Sequence, residues 1–188
     1  LLARAVIRKY RPKIVMVTGS VGKTSTKDAV AAALSERFHL RASEKSYNSE
    51  FGVPLTVIGA KNAWSDALGW GKIVLDALSL ILLPSHYPKL LVLEVGADRP
   101  GDLRRILDIA VPDAVVVTFL PDIPVHVEAY ASAHAVHEEE FTPAYMLAHG
   151  APLVINADDE NAKRLAARLS APVTTFGFAA GADVRLLD

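Results

Sequence analysis

Continuous apolar runs recur along the chain at Ile14–Val17, Leu90–Val95, Ala114–Val117, Leu153–Ile155 and Val173–Phe176. Val, Ile and Leu without polar alternation read as parallel strands buried on both faces. Between them, helical periodicity marks Thr24–Leu34, Gly101–Ile109, Ala129–Ala148 and Glu160–Leu169. This alternation predicts an α/β fold, a doubly wound and mainly parallel sheet with helices on both faces, formed as one domain over residues 1–188. The most apolar stretch, Ile73–Leu83, contains Asp76 and has eleven residues, against the roughly twenty that span a bilayer. Trp70–Leu83 is therefore expected as a helix. Trp64, Trp70 and Leu80–Leu83 either pack on a neighbour or form an exposed patch for another domain or a membrane surface. A strand starting at Ala182 needs a partner further on. At the other end, Arg4, Arg8, Lys9 and Arg11 are not followed by a signal-peptide core. The 188 residues are expected to be a piece of a longer protein.

In doubly wound sheets ligands sit beyond the carboxyl ends of the strands, so the residues following each run carry the candidate chemistry. After the first run comes Val17-Thr18-Gly19-Ser20-Val21-Gly22-Lys23-Thr24-Ser25, a glycine turn opening a helix. Gly19 and Gly22 let the backbone approach an anion, and the helix adds its positive N-terminal end. Lys23 would reach the β/γ-phosphates and the Thr24 hydroxyl would ligate Mg²⁺, which makes the sheet one of P-loop type. The position five before Gly22 is Val17, where the general pattern has glycine. Composition keeps the lysine local: 20 basic residues against 21 acidic ones leave no electrostatic footprint for nucleic acid. The absence of cysteine removes disulfides, thiolate nucleophiles and Cys-type zinc sites, and agrees with a reducing cytoplasm.

Glu94 ends the second run, placing a carboxylate at the mouth of the sheet beside the phosphate loop. It serves either as a Mg²⁺ ligand, direct or through water, or as a capping or surface glutamate. His126 follows the third run in Pro124-Val125-His126-Val127-Glu128, positioned for metal or phosphate unless it is merely solvated. His39, His86, His134, His137 and His149 fall on helices or distant loops and are expected to be solvated or structural.

Four ordered motifs together resemble the Mur ligases, ATP-dependent amide-forming enzymes of peptidoglycan synthesis, over about Ile14 to Leu187. They are Thr18–Ser25; Ser46-Tyr47-Asn48-Ser49-Glu50-Phe51-Gly52-Val53-Pro54-Leu55; Leu93-Glu94-Val95-Gly96-Ala97 with Pro100-Gly101-Asp102; and Asn156-Ala157-Asp158-Asp159. The branch most resembled adds D-Ala-D-Ala to UDP-MurNAc-tripeptide in the cytoplasm. The resemblance implies that Gly19, Ser20, Val21, Gly22, Lys23, Thr24 and Ser25 bind the phosphates of ATP, with Asn48 beside them and Asn156 near adenine. It also implies a Mg²⁺ environment of Thr24, Glu94 and His126. ATP would phosphorylate a substrate carboxylate, and an amine would attack the acyl phosphate. The UDP-linked muramoyl peptide and the dipeptide would be held through domains outside this segment, so the segment alone should not ligate.

Three positions depart from the family. The family carries Asn after the strand that here reads Val117-Thr118-Phe119, and about two extra residues separate this strand from His126. The segment Lys61–Lys89 is longer than in the best-known members. The lysine that the family carbamylates corresponds, sixteen residues before Asn156, to Glu140 in His137-Glu138-Glu139-Glu140. Glu140 either replaces the carbamate as a metal ligand or belongs to a solvated acidic helix face. The alternatives are a related ligase of polyglutamate or cyanophycin type, or a nucleotide-binding module whose catalysis is altered.

Overall fold

The computed structural model describes residues 1–44 and 47–187. Within them, seven strands form one sheet: β1 (Lys13–Thr18), β2 (Leu40–Ala42), β3 (Leu90–Glu94), β4 (Ala114–Val117), β5 (Leu153–Asn156), β6 (Val173–Gly177) and β7 (Val184–Arg185). Their order is β2-β3-β1-β4-β5-β6-β7, and each neighbouring pair runs parallel. From β1 the chain runs to the sheet edge as β2, returns between the two as β3, and then crosses β1 to build the other side from β4 onward. The carboxyl end of β1 is therefore the switch point, where a crevice opens between diverging connections.

Seven α-helices of the described residues accompany the sheet: α1 (Leu2–Tyr10), α2 (Lys23–Ser35), α3 (Gly52–Ile58), α4 (Ala67–Leu82), α5 (Asp102–Leu107), α6 (Ala133–Tyr145) and α7 (Glu160–Ala166). The two sheet faces are covered unequally. Ile14, Met16, Leu91, Leu93, Val115, Val117, Leu153 and Ile155 meet buried residues of α1, α3, α5, α6 and α7 in the main core. Alternate residues Val17, Leu90, Val92 and Val116 form a smaller cluster under Val30, Ala31 and Leu34 of α2. α4 packs on α1 and α3 through Ile73 and Ala77.

Side chains set several helix starts, each satisfying an N–H that would otherwise lack a partner. The Asp66 carboxylate accepts from Leu68 N at 3.0 Å, Ser132 Oγ from Ala135 N at 3.2 Å and Asp159 from Ala162 N at 3.0 Å.

The five central strands lie where the apolar runs place them. The helix expected from residue 129 to 148 is shorter, because Ser132 caps it and a 3₁₀ turn, Val127–Ala129, precedes it. α1, α3 and β2 are additions. In α3, Gly-Val-Pro-Leu-Thr-Val-Ile carries strand-favouring residues, but Pro54 sits in the first helical turn, where no N–H is needed.

Candidate functional site

The turn from β1 to α2 is shaped by two glycines in left-handed backbone, Gly19 at φ 118° and Gly22 at φ 84°. A β-carbon on Gly19 would fall 2.4 Å from Thr118 Oγ1, so strand β4 presses directly on the loop. The Thr118 hydroxyl lies 2.6 Å from Val21 O and 3.1 Å from Thr18 O, and Ser20 N donates to Phe119 O at 2.9 Å. The end of β4 thereby fixes the loop's course. Gly22 caps α2 without a side chain to bond the first turn, leaving the helix N-terminus directed at the space in front of it.

That space is a cavity of about 480 Å³ lined by Ser20, Gly22, Lys23, Thr24, Ser25, Asn48 and Glu94. Lys23 Nζ donates to Gly19 O at 2.6 Å, which holds its ammonium over the loop. Gly96 lies close behind two of these residues: a β-carbon there would meet Lys23 Cε at 3.4 Å and Asn48 Nδ2 at 3.5 Å. Gly96 N in turn donates to Asn48 O at 3.0 Å, which ties the segment after β3 to the segment before α3. Ser46, the first residue of that expected motif, lies outside the described residues.

Glu94 is 3 % exposed, and its Oε2 has no hydrogen-bond partner among the described residues. Burying an unpaired carboxylate oxygen is costly. A cation entering the cavity would offset that cost, and Thr24 supplies a hydroxyl to the same cavity. The donor set fits Mg²⁺, which takes one or two protein oxygens and completes its shell with phosphates and water. Among the described residues, no group of three or more His, Asp or Glu side chains is assembled as a metal site.

His126 and Glu140 are not in the lining. The half-exposed His126 imidazole faces Asp98 at 3.5 Å and Glu128 at 3.9 Å. Glu140, at 4 % exposure, reaches the back of the phosphate loop, where Ser20 Oγ donates to its Oε2 at 2.6 Å and Thr18 Oγ1 to its carbonyl at 2.7 Å. Burial raises its carboxyl above the usual range, opposed by the Ser20 bond and the charges of Lys23 and His126. The solvated acidic face is therefore overturned at this position. The neighbouring glutamates have partners of their own. Glu139 accepts from Gly101 N and Leu103 N at the start of α5, and Glu138 binds Tyr145 and Arg168. Asn156 ends β5 away from the cavity lining, its Oδ1 accepting from Asp158 N at 2.8 Å.

Two supports escaped the sequence. Thr118 is visible in the sequence only as part of the segment Val117-Thr118-Phe119, which departs from the family pattern. Lys27 is buried one turn beyond Lys23, donating to Ser43 O at 2.7 Å, while Ser43 Oγ accepts from Glu94 N at 3.2 Å. A lysine at i+4 from the phosphate-loop lysine, facing the sheet, was the available signal. Of the histidines expected to be solvated or structural, His137 is buried with Nε2 2.8 Å from Pro121 O, and His39 stacks on His86.

A parallel sheet with its glycine turn, lysine and helix N-terminus at the switch point defines a nucleotide-binding domain of the P-loop class. Residues 17–187 match the Mur ligase middle domain, and the chain belongs to that family. It is 25 % identical over 187 residues to the UDP-N-acetylmuramoyl-tripeptide--D-alanyl-D-alanine ligase of Bacillus subtilis, covering all of this chain and 35 % of that protein. The Mycobacterium tuberculosis H37Rv ligase of the same name is 28 % identical over 146 residues, 78 % of this chain and 24 % of that one. The MurF ligase of Thermotoga maritima, solved in complex with ADP, superposes with a TM-score of 0.76 at 25 % identity, over 99 % of this chain and 37 % of that one. The chain thus spans about a third or less of the length of these relatives.

Proposed function

We propose that this domain binds ATP with Mg²⁺ and transfers its terminal phosphoryl group within an ATP-dependent ligase that adds D-Ala-D-Ala to UDP-MurNAc-tripeptide. The observation that carries the reading is the convergence of Lys23, Thr24, Asn48 and the unpartnered Glu94 oxygen on one cavity at the mouth of a glycine turn. The names of the Bacillus and Mycobacterium relatives and the ADP bound to the Thermotoga enzyme support the substrates. The loop amides and the α2 N-terminus would hold the phosphates. Lys23 would leave Gly19 O to neutralise charge on the transferred group, and Asn48 would hold it from the Gly96 side. Thr24 and Glu94 would hold Mg²⁺, which when bound neutralises phosphate charge and orients the nucleotide. His126 and Glu140 would act from outside the cavity, His126 from the loop after β4 and Glu140 through Ser20. Asn156 would lie toward the base at the end of β5. The muramoyl peptide, the dipeptide and a cytoplasmic setting follow from the same reading, with the acyl phosphate attacked by the dipeptide amine.

Calorimetric titration of ATP with Mg²⁺ tests the core of this reading. Lys23→Ala should weaken binding by about ten- to a hundredfold, the worth of a charged hydrogen bond. Equal affinity in both proteins would refute the cradle. Formation of the amide product by the full-length ligase from the UDP-linked tripeptide and D-Ala-D-Ala tests the substrates separately.

A further inference from the structure

We propose that Lys27 is a positioning residue for the metal site, fixing Glu94 relative to Thr24; the inference rests on the Mg²⁺ reading given above. α2 turns residues 27, 30, 31 and 34 toward the sheet, the i, i+3, i+4, i+7 row of one helix face. Val30, Ala31 and Leu34 pack there on the cluster of Val17, Leu90, Val92 and Val116. The remaining member of the row is Lys27, whose side chain is 3 % exposed. Lysine is almost never buried so fully unless it is paired, and an apolar side chain would fill the place without desolvating a charge. Two oxygens match the ammonium, Ser43 O at 2.7 Å and Asp28 Oδ1 at 2.9 Å.

The bond to Ser43 alters the sheet at the place where the metal ligand leaves it. β2 and β3 pair in parallel with Ala42 opposite Val92, which puts Ser43 opposite Leu93. Ser43 N donates to Val92 O at 2.9 Å, as the ladder requires. The next rung would run from Glu94 N to Ser43 O. Instead Lys27 takes that carbonyl, and Glu94 N donates to the Ser43 hydroxyl at 3.2 Å. The last rung before the Glu94 carboxylate is thus replaced by a relay, Lys27 Nζ to Ser43 O and Glu94 N to Ser43 Oγ. Its ends belong to two elements that line the cavity: Thr24 lies three residues before Lys27 on α2, and Glu94 ends β3. The relay therefore ties the Thr24 hydroxyl to the Glu94 carboxylate, and the spacing of those oxygens decides whether one small octahedral ion takes both. The phosphate loop is held elsewhere, by Lys23 on Gly19 O and by Thr118 on Val21 O. On the other edge of β3, Val95 N donates to Val17 O at 3.0 Å, so loss of the relay loosens Glu94 without parting the sheet.

Calorimetry on the full-length protein tests this through two quantities, the affinity for ATP with Mg²⁺ chelated and the Mg²⁺ concentration that half-saturates the ATP complex. Lys27→Met keeps an unbranched side chain and removes the ammonium. It should raise the Mg²⁺ midpoint about tenfold, as loss of a group that orients a metal ligand does. Metal-free ATP affinity should stay nearly unchanged, since Asp28 already matches the Lys27 charge. Ser43→Ala breaks the other half of the relay and keeps the carbonyl at 43, so it should raise the midpoint similarly. The double variant should do no more than the larger single change, because both bonds lie on one path. The sign separates position from charge: removing a cation by itself would draw Mg²⁺ in more tightly and weaken the hold on the phosphates. An unchanged or lowered midpoint in a folded Lys27→Met protein overturns the proposal. So does a parallel loss of both quantities, which marks a general loosening of the domain. Should circular dichroism show Lys27→Met unfolded, Ser43→Ala decides by the same criteria. A wild type whose ATP affinity ignores Mg²⁺ overturns the metal reading and this inference with it, a result distinct from a responsive wild type with unresponsive variants.

Discussion

A methyl group at residue 19 has nowhere to go, since its position falls on the Thr118 hydroxyl and the backbone there is left-handed. Gly19→Ala should therefore abolish ATP binding and cost about 1–3 kcal/mol of stability, measured by calorimetry and urea unfolding. Thr118 holds the same loop from the other side. Thr118→Val keeps its shape but leaves the Val21 carbonyl without its hydroxyl partner, so ATP affinity should fall about tenfold. Thr118→Ser should restore most of it. Glu140 marks the boundary of what spacing alone conveys. Counting back from Asn156 located a carboxylate that does approach the phosphate loop, yet its oxygen is taken by Ser20. Position in the chain foretold the neighbourhood; the direction of the side chain depended on how α6 leans on β1.

Among elements, the long apolar strands were legible because burial on both faces leaves them no polar alternation. Short or unusual pieces were not. β2 is three residues long, and Arg41 within it bonds the carbonyls of Thr56 and Val57 in α3, a tertiary contact without local trace. The three glutamates of α6 look alike in sequence and differ wholly in surroundings. Glu139 caps α5, so Glu139→Ala should cost about 1 kcal/mol in urea unfolding. Glu138 acts by charge: burial pushes its carboxyl up, but Tyr145, Arg168 and His134 outweigh that and hold it below its ordinary 4.5. A depressed carboxyl stabilises the fold above its unfolded value, and that stabilisation fades as pH falls through the folded one. Glu138→Gln should thus lower stability by up to about 1 kcal/mol at pH 7, and the difference should vanish well below pH 4.5.

At the scale of the molecule, the main core lies on one face of the sheet and Phe141 of α6 is its largest fully buried side chain. Phe141→Ala should cost about 3–5 kcal/mol in urea unfolding. The sheet's order, with β1 in the middle, also governs when the phosphate loop comes into being. β1 is made first of the strands, yet its neighbours pair Lys13 with Leu90 and Val15 with Ala114. The hydroxyl and carbonyl that fix residues 18–21 arrive about a hundred residues after them. A nascent chain halted before β4 carries the glycine motif without the Thr118 hydroxyl and Phe119 carbonyl that hold residues 18–21. Such distant pairings fold slowly. Competence to bind nucleotide is thus acquired late and all at once, so ATP can stabilise the finished domain but cannot guide the early steps of its folding.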